Sequence, residues 1–243
     1  MEYPIYKEHV PYISTEQMIE VDRAMIEDFH IELIQMMENA GRNLAHLARH
    51  RFLSSNPRGR HVIILAGTGG NGGGGLVCAR RLHNYGTSVQ VVITAANEQF
   101  TPIAAHQLDI VRRMGIAVSH NPPNSTPDLI IDAIIGYSLN GAPRSAAKTL
   151  IEWANQANAP ILALDTPSGI DTTSGTVYQP SINATATLTL ALPKIGLKNN
   201  AVAPHLGELY LGDISVPPEL YKSDLLGLDI GTLFAENDII RLK

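Results

Sequence analysis

The chain has 243 residues, of which 44% are hydrophobic and 17% charged, with a formal net charge of -5. At this length a globular chain buries roughly 70–75% of the surface it exposes when unfolded, so folding requires neither disulfides nor metals, and extended disorder is excluded. With 18 Lys and Arg against 23 Asp and Glu, no global charge favours nucleic acid or an anionic membrane. The lone Cys78 cannot form an intramolecular disulfide and fits a reducing compartment. No basic segment leads into an apolar one at the N-terminus, and no run approaches ~18 apolar residues. A soluble cytoplasmic protein is the expectation.

Ser14 reads as a helix N-cap with Gln17 as its capping-box partner, followed by Met18, Val21, Met25, Ile26 and Phe29 at helical spacing. A second helix runs from near Glu32 through Met36, Met37, Ala40, Leu44 and Leu47 toward Arg51, and Gly41 inside it points to close packing. From residue 60, short apolar runs alternate with helical stretches, the pattern of βαβ units and a mostly parallel sheet. Strands are predicted at 61–67, 88–94, 116–120, 128–136, 160–165, 186–192 and 208–214, and helices near 73–85, 101–114 and 143–158. Pro102 and Pro143 mark helix starts. No repeat or linker divides the chain, so the prediction is one α/β domain over 1–243. It comprises N-terminal helices (1–55), a sandwich (60–218) and a tail (219–243) that packs on the body or meets a partner.

The segment Gly67-Thr-Gly-Gly-Asn-Gly-Gly-Gly-Gly75 follows an apolar strand and leads into a helix. Glycines admit a ligand close to the backbone, and free amides at a helix N-terminus attract phosphate. Gly67, Gly69 and Gly72 satisfy G-x-G-x-x-G, yet the acidic residue expected about 20 positions later is missing, which argues against an ordinary dehydrogenase site. No Lys-Ser or Lys-Thr follows, so a P-loop is excluded. Tight packing of helix on strand would account for two or three glycines, and seven in nine positions favour a ligand loop.

Ligands of doubly wound sheets bind beyond the carboxyl ends of the strands. Two further ends are polar, Asp132-Ala-Ile-Ile-Gly136-Tyr-Ser-Leu-Asn-Gly141 and Asp165-Thr-Pro-Ser168-Gly-Ile-Asp171. A carboxylate in an apolar run is costly unless it is hydrogen-bonded, paired or bound to a cation. Ser168 and Ser138 lack the G-x-S-x-G context of a serine nucleophile. His46 and His50 stand at i, i+4 without the glutamate of a metalloprotease helix, and Cys78 reads as a packing residue.

The strings MMENAG (36–41), GTGGNGGGGLVCARRL, DAIIG, LDTPSGID, LPKIGL and GDISVPP (212–218), in this order with Asp22 on the first helix, resemble the YjeF N-terminal domain family. These are the NAD(P)H-hydrate epimerases, which include apolipoprotein A-I-binding protein. The resemblance implies a Rossmann-like three-layer α/β/α sandwich, commonly a homodimer, that interconverts the R and S epimers of NADHX or NADPHX for a separate dehydratase. By the same resemblance Asn71, Asp132 and Ser168 are the ligands of one potassium ion, whose hardness suits oxygen donors. The substrate loops are Gly70, Asn71, Gly72, Gly73 and Gly74, and Gly136, Tyr137, Ser138, Leu139, Asn140, Gly141 and Ala142. Asp165 matches a substrate-contacting aspartate and is the catalytic candidate, moving the proton as the carbinolamine hydroxyl leaves and returns.

The loop departs from the family's usual GNNGGDG, with Gly70 in place of an asparagine and Gly74 in place of an aspartate. Two competing expectations follow: a catalytically impaired binding or scaffold protein on the same fold, or an enzyme for another nucleotide-like ligand.

Overall fold

In a computed structural model of the chain, which describes Tyr3 and residues 5–242, β1 (His61–Ala66) runs through the centre of a sheet and is buried on both faces. Val62, Ile64 and Ala66 share a core with Leu44 and Leu47 of α2 (Leu33–Leu47), Leu76 and Leu82 of α3 (Gly70–Asn84), and Leu108 and Val111 of α4 (Pro102–Arg113). Ile63 and Leu65 instead join Leu150, Ile151 and Ala154 of α5 (Ser145–Gln156). This two-sided burial is why the strand reads as a continuous apolar run and not as an alternation.

The remaining strands are β2 (Ser88–Ile93), β3 (Ala117–Ser119), β4 (Leu129–Ala133), β5 (Ile161–Leu164), β6 (Ala186–Leu190), β7 (Glu208–Gly212) and β8 (Ile239–Arg241). Their order is β3-β2-β1-β4-β5-β6-β7-β8, parallel throughout except for the antiparallel β7–β8 pair. The chain thus adopts the predicted α/β class with helices on both sides of a mostly parallel sheet.

Several predicted strands run past the structural ones, because the backbone turns sharply before the apolar run ends. β5 stops at Leu164 since Asp165 takes a positive φ of 66°, and β6 stops at Leu190 since Ala191 does the same at 61°. α3 begins at Gly70, earlier than the sequence pattern, and α5 begins at Ser145, after Pro143. Pro102 is the first residue of α4, as expected.

α1 (Thr15–Glu27) starts at the predicted capping box, with the Gln17 amide donating to Ser14 Oγ at 3.1 Å and the Ser14 amide donating to Gln17 Oε1 at 2.9 Å. Its buried face, Met18, Val21 and Met25, packs with Leu226, Leu233, Ile240 and Leu242 of the tail. The tail therefore packs on the body, and it supplies β8, a strand too short for its periodicity to show in sequence. At the other end, the Ile13 amide donates to the Pro193 carbonyl and the Ile195 amide to the Ile13 carbonyl, both at 2.9 Å. That pairing pins the backbone around Lys194.

Candidate active site

Succession along the sheet reverses at β1, whose neighbours are β2 on one side and β4 on the other. The loops leaving β1 and β4 diverge at this point, opening the crevice in which open α/β sheets bind ligands. A cavity of about 240 Å³ lies there, lined by Gly70 and Asn71 from the start of α3, by Gly136, Tyr137, Ser138, Leu164 and Asp165 from strand ends, and by Met18, Asp22, Leu33, Met36, Met37 and Ala40 from α1 and α2. Leu190 and Ile214 complete the wall.

Asp165 is aimed by its own backbone. Its left-handed φ and the hydrogen bond from the Thr166 amide to the Leu164 carbonyl at 2.9 Å form a γ-turn, an uncommon geometry for a residue other than glycine. Lys194 Nζ donates to Asp165 Oδ1, and the Tyr137 amide donates to Oδ2 at 2.9 Å. Lys194 is fully buried, and its ammonium also donates to the Leu190 carbonyl at 3.0 Å. Each end of the ion pair is thus hydrogen-bonded beyond the pair itself, as a buried charge requires.

Asp132 lies deeper and is also fully buried. Oδ1 accepts from Ser168 Oγ at 2.6 Å and the Ile134 amide at 3.2 Å, while Oδ2 accepts from the Ser168 amide at 2.8 Å. Burial nevertheless pushes its carboxyl up to about 6, the hydrogen bonds from Ser168 and Ile134 opposing only part of the shift, and among the described residues no basic side chain offsets the charge. Ser168 Oγ in turn accepts from the Ile135 amide at 2.9 Å. Asn71 Oδ1 lies beside Gly136, and its amide nitrogen is buried without a partner among the described residues. These three side chains offer oxygen donors and one uncompensated negative charge around the Ile134–Gly136 turn, which fits a hard monovalent cation. Among the described residues, no three His, Cys, Asp or Glu side chains converge on a metal-sized site.

The glycine loop divides into two parts. A Cβ at Gly67 would strike the Ile134 carbonyl, and one at Gly72 would strike the Gly67 carbonyl. At Gly73, Gly74 and Gly75 it would come within 2.6 Å of Met37 Sδ, 2.8 Å of Leu164 Cδ2 and 2.5 Å of Ala133 Cβ. Only Gly69 and Gly70 face open space. Packing therefore accounts for five of the seven glycines, more than the sequence reading allowed. The same contacts explain why α3 starts early, with the Gly73 amide already bonded to the Gly69 carbonyl.

Of the predicted substrate residues, Gly70, Asn71, Gly136, Tyr137, Ser138 and Asp165 line the cavity. Gly72, Gly73 and Gly74 are buried beneath it in α3, and Leu139, Asn140, Gly141 and Ala142 continue the β4 loop outside its lining. Two site residues had no role assigned from sequence. Lys194 sits just beyond β6, where the strand-end rule applies as it does to Asp165. Asp22 is an acidic residue beside the apolar face of α1, and its Oδ2 accepts the hydroxyl of Tyr137. Burial raises the Asp22 carboxyl, with the phenol and Lys194 opposing and Asp165 adding to the shift. Cys78 is fully buried with its thiol pushed up by desolvation, as a packing residue should be. His46 and His50 stack edge-to-face at 6.4 Å between centroids.

Residues 33–196 match the family described as YjeF-related protein N-terminus. The chain belongs to this family. A Dehalogenimonas lykanthroporepellens protein named NAD(P)H-hydrate epimerase is 41% identical over 212 residues, covering 86% of this chain and 84% of the relative. An Entamoeba histolytica protein of the same name is 31% identical over 94% of this chain and 97% of its own. The Moorella thermoacetica bifunctional NAD(P)H-hydrate repair enzyme is 34% identical over 86% of this chain, which spans only 41% of that longer relative. The YjeF-related fold is also similar to the crystal structure of the yeast protein ynu0. That likeness has a TM-score of 0.79 and 26% identity over 96% of this chain and 100% of the yeast one.

Proposed function

We propose that this chain is an NAD(P)H-hydrate epimerase that interconverts the R and S forms of NADHX and NADPHX. The observation that carries the reading is Asp165, held by Lys194 and the Tyr137 amide at the wall of a cavity beside the open end of the glycine helix. The cavity suits the hydrated nicotinamide ring. Gly69 and Gly70 leave the first amides of α3 approachable, so the pyrophosphate belongs at that helix end.

Inversion at the hydrated carbon requires the C–O bond to break after proton donation, with the ring nitrogen lone pair forming the C=N bond. Water then adds to the opposite face and gives up a proton. Asp165 lies where a carboxylate can take or return that proton and balance the cationic ring. Asn71, Asp132 and Ser168 are the proposed holders of a potassium ion, whose charge would offset Asp132 and fix the Ile134–Gly136 turn. Ile19 and Ile26, exposed one heptad apart on α1, and Phe29 just beyond it support a homodimer. Coupling to a dehydratase on a separate chain is part of the same proposal.

The test follows loss of the R epimer from an equilibrated NADHX mixture in the presence of an S-specific dehydratase. Acceleration that requires both Asp165 and potassium is the expected result. No acceleration by folded protein would instead favour the binding-protein reading suggested by Gly70 and Gly74.

A further inference from the structure

Asp165 alone leaves the inversion half-served. A single carboxylate can expel and restore a hydroxyl on the face it touches, but inversion needs water to leave one face and return on the other. Enzymes that invert a comparable cationic ring carbon place two carboxyl groups across it, separated enough to admit a water. The cavity holds a second carboxylate that the assignment above does not use.

Tyr137 connects the two. Its amide donates to Asp165 Oδ2, while its phenol donates to Asp22 Oδ2, so the carboxylates are held apart by the length of a tyrosine side chain. Both Tyr137 and Asp22 line the cavity. Asp22 Oδ1 has no hydrogen-bond partner among the described residues, although its neighbours Met18, Val21 and Met25 are buried in the core of α1. A half-buried carboxylate that lines the cavity, with no ion-pair partner among the described residues and one oxygen free to meet a ligand, is placed to exchange a proton there. Burial and the nearby Asp165 both favour its protonated form, as a proton donor requires.

We infer that Asp22, oriented by the Tyr137 hydroxyl, is the second catalytic acid-base of the epimerase, serving the ring face that Asp165 does not reach. This rests on the epimerase reading. In one direction the Asp22 carboxyl protonates the departing hydroxyl, the C–O bond breaks to release water, and the nitrogen lone pair forms the C=N bond. Water adding from the other face transfers its proton to Asp165. The reverse direction exchanges the two roles, and the cavity water restores both groups between turnovers, so no outside oxidant or reductant is needed.

The deciding experiment measures epimerisation and oxygen exchange together, in water enriched in oxygen-18, each above the rate without protein. In Asp22→Asn, epimerisation is expected to fall about 100-fold. Exchange into the epimer whose hydroxyl faces Asp165 should persist, because loss and return on one face need only Asp165. Asp22→Glu should restore part of the inversion, and Tyr137→Phe should lower it with a smaller change in KM than in kcat. Parallel loss of exchange and inversion in Asp22→Asn, or loss of neither, would overturn this inference while leaving the epimerase reading standing. Wild-type protein that neither exchanges nor epimerises would overturn both.

Discussion

Three acidic side chains and one lysine define the site at the scale of single residues, and the fold treats them differently. Asp165 has Lys194 as counter-charge, whereas Asp132 and Asp22 have only neutral donors directly bonded. Removing one member of a buried pair leaves the other uncompensated, typically a loss of about 3–5 kcal/mol. Lys194→Met should therefore lower the unfolding free energy by about 3 kcal/mol, and Lys194→Met with Asp165→Asn should recover most of that loss without recovering activity, as measured by urea denaturation. Asp22 has the opposite sign. Its folded carboxyl is raised above its unfolded value, so the native state keeps the proton longer and stability falls as pH rises through that window. Asp22→Asn removes this cost. The variant should match the wild type below the unfolded carboxylate range and be the more stable protein at neutral pH, the gap opening as pH rises in a series of thermal melts.

The glycine helix shows at the scale of elements what sequence could and could not convey. The Ser14–Gln17 cap and the buried strand runs were legible because their causes are local: a side chain bonding an amide three residues away, or a strand covered on both faces. Asp132 and Asp165 were legible too, as acidic residues at the ends of apolar runs. The start of α3 was not, because the contacts that set it are long-range: Gly73 against Met37, Gly74 against Leu164, Gly75 against Ala133. Gly41, at which a Cβ would come within 2.5 Å of Val77 Cγ1, belongs to the same α2–α3 seam and bears out the expectation of close packing. Two substitutions separate the roles. Gly70→Ala meets nothing within 4 Å and should stabilise the helix by about 0.5–1 kcal/mol while raising KM, since it lines the cavity. Gly72→Ala must displace the Gly67 backbone and should destabilise by about 3 kcal/mol or prevent folding, as read by circular dichroism and denaturant melts.

At the scale of the whole molecule, the cavity depends on segments far from the sheet's switch point in sequence. The start of α3 supplies Asn71 and the loops after β4 and β5 supply Tyr137 and Asp165, but the wall carrying Asp22 belongs to α1, whose inner face is covered by Leu226, Leu233, Ile240 and Leu242. β8 also closes the edge of β7, and the Asp213 amide donates to the Asp238 carbonyl at 2.9 Å, so tail and sheet edge are one packed unit. Little in the sequence announced this, because the tail's apolar residues follow no period and acquire meaning only against α1. Removing residues 219–243 should therefore uncover α1 and β7, while the cores around β1, β4 and α5 lose only Ile239 and stay in place. Hydrogen exchange should then show α1 amides losing protection by at least a hundredfold and β1 and β4 amides changing far less, since proteins open in cooperative units and not uniformly. Activity should disappear with the α1 protection, because the cavity would lose the wall that carries Asp22. Full protection of α1 in the shortened chain would mean that α2 and the sheet alone hold that wall in place.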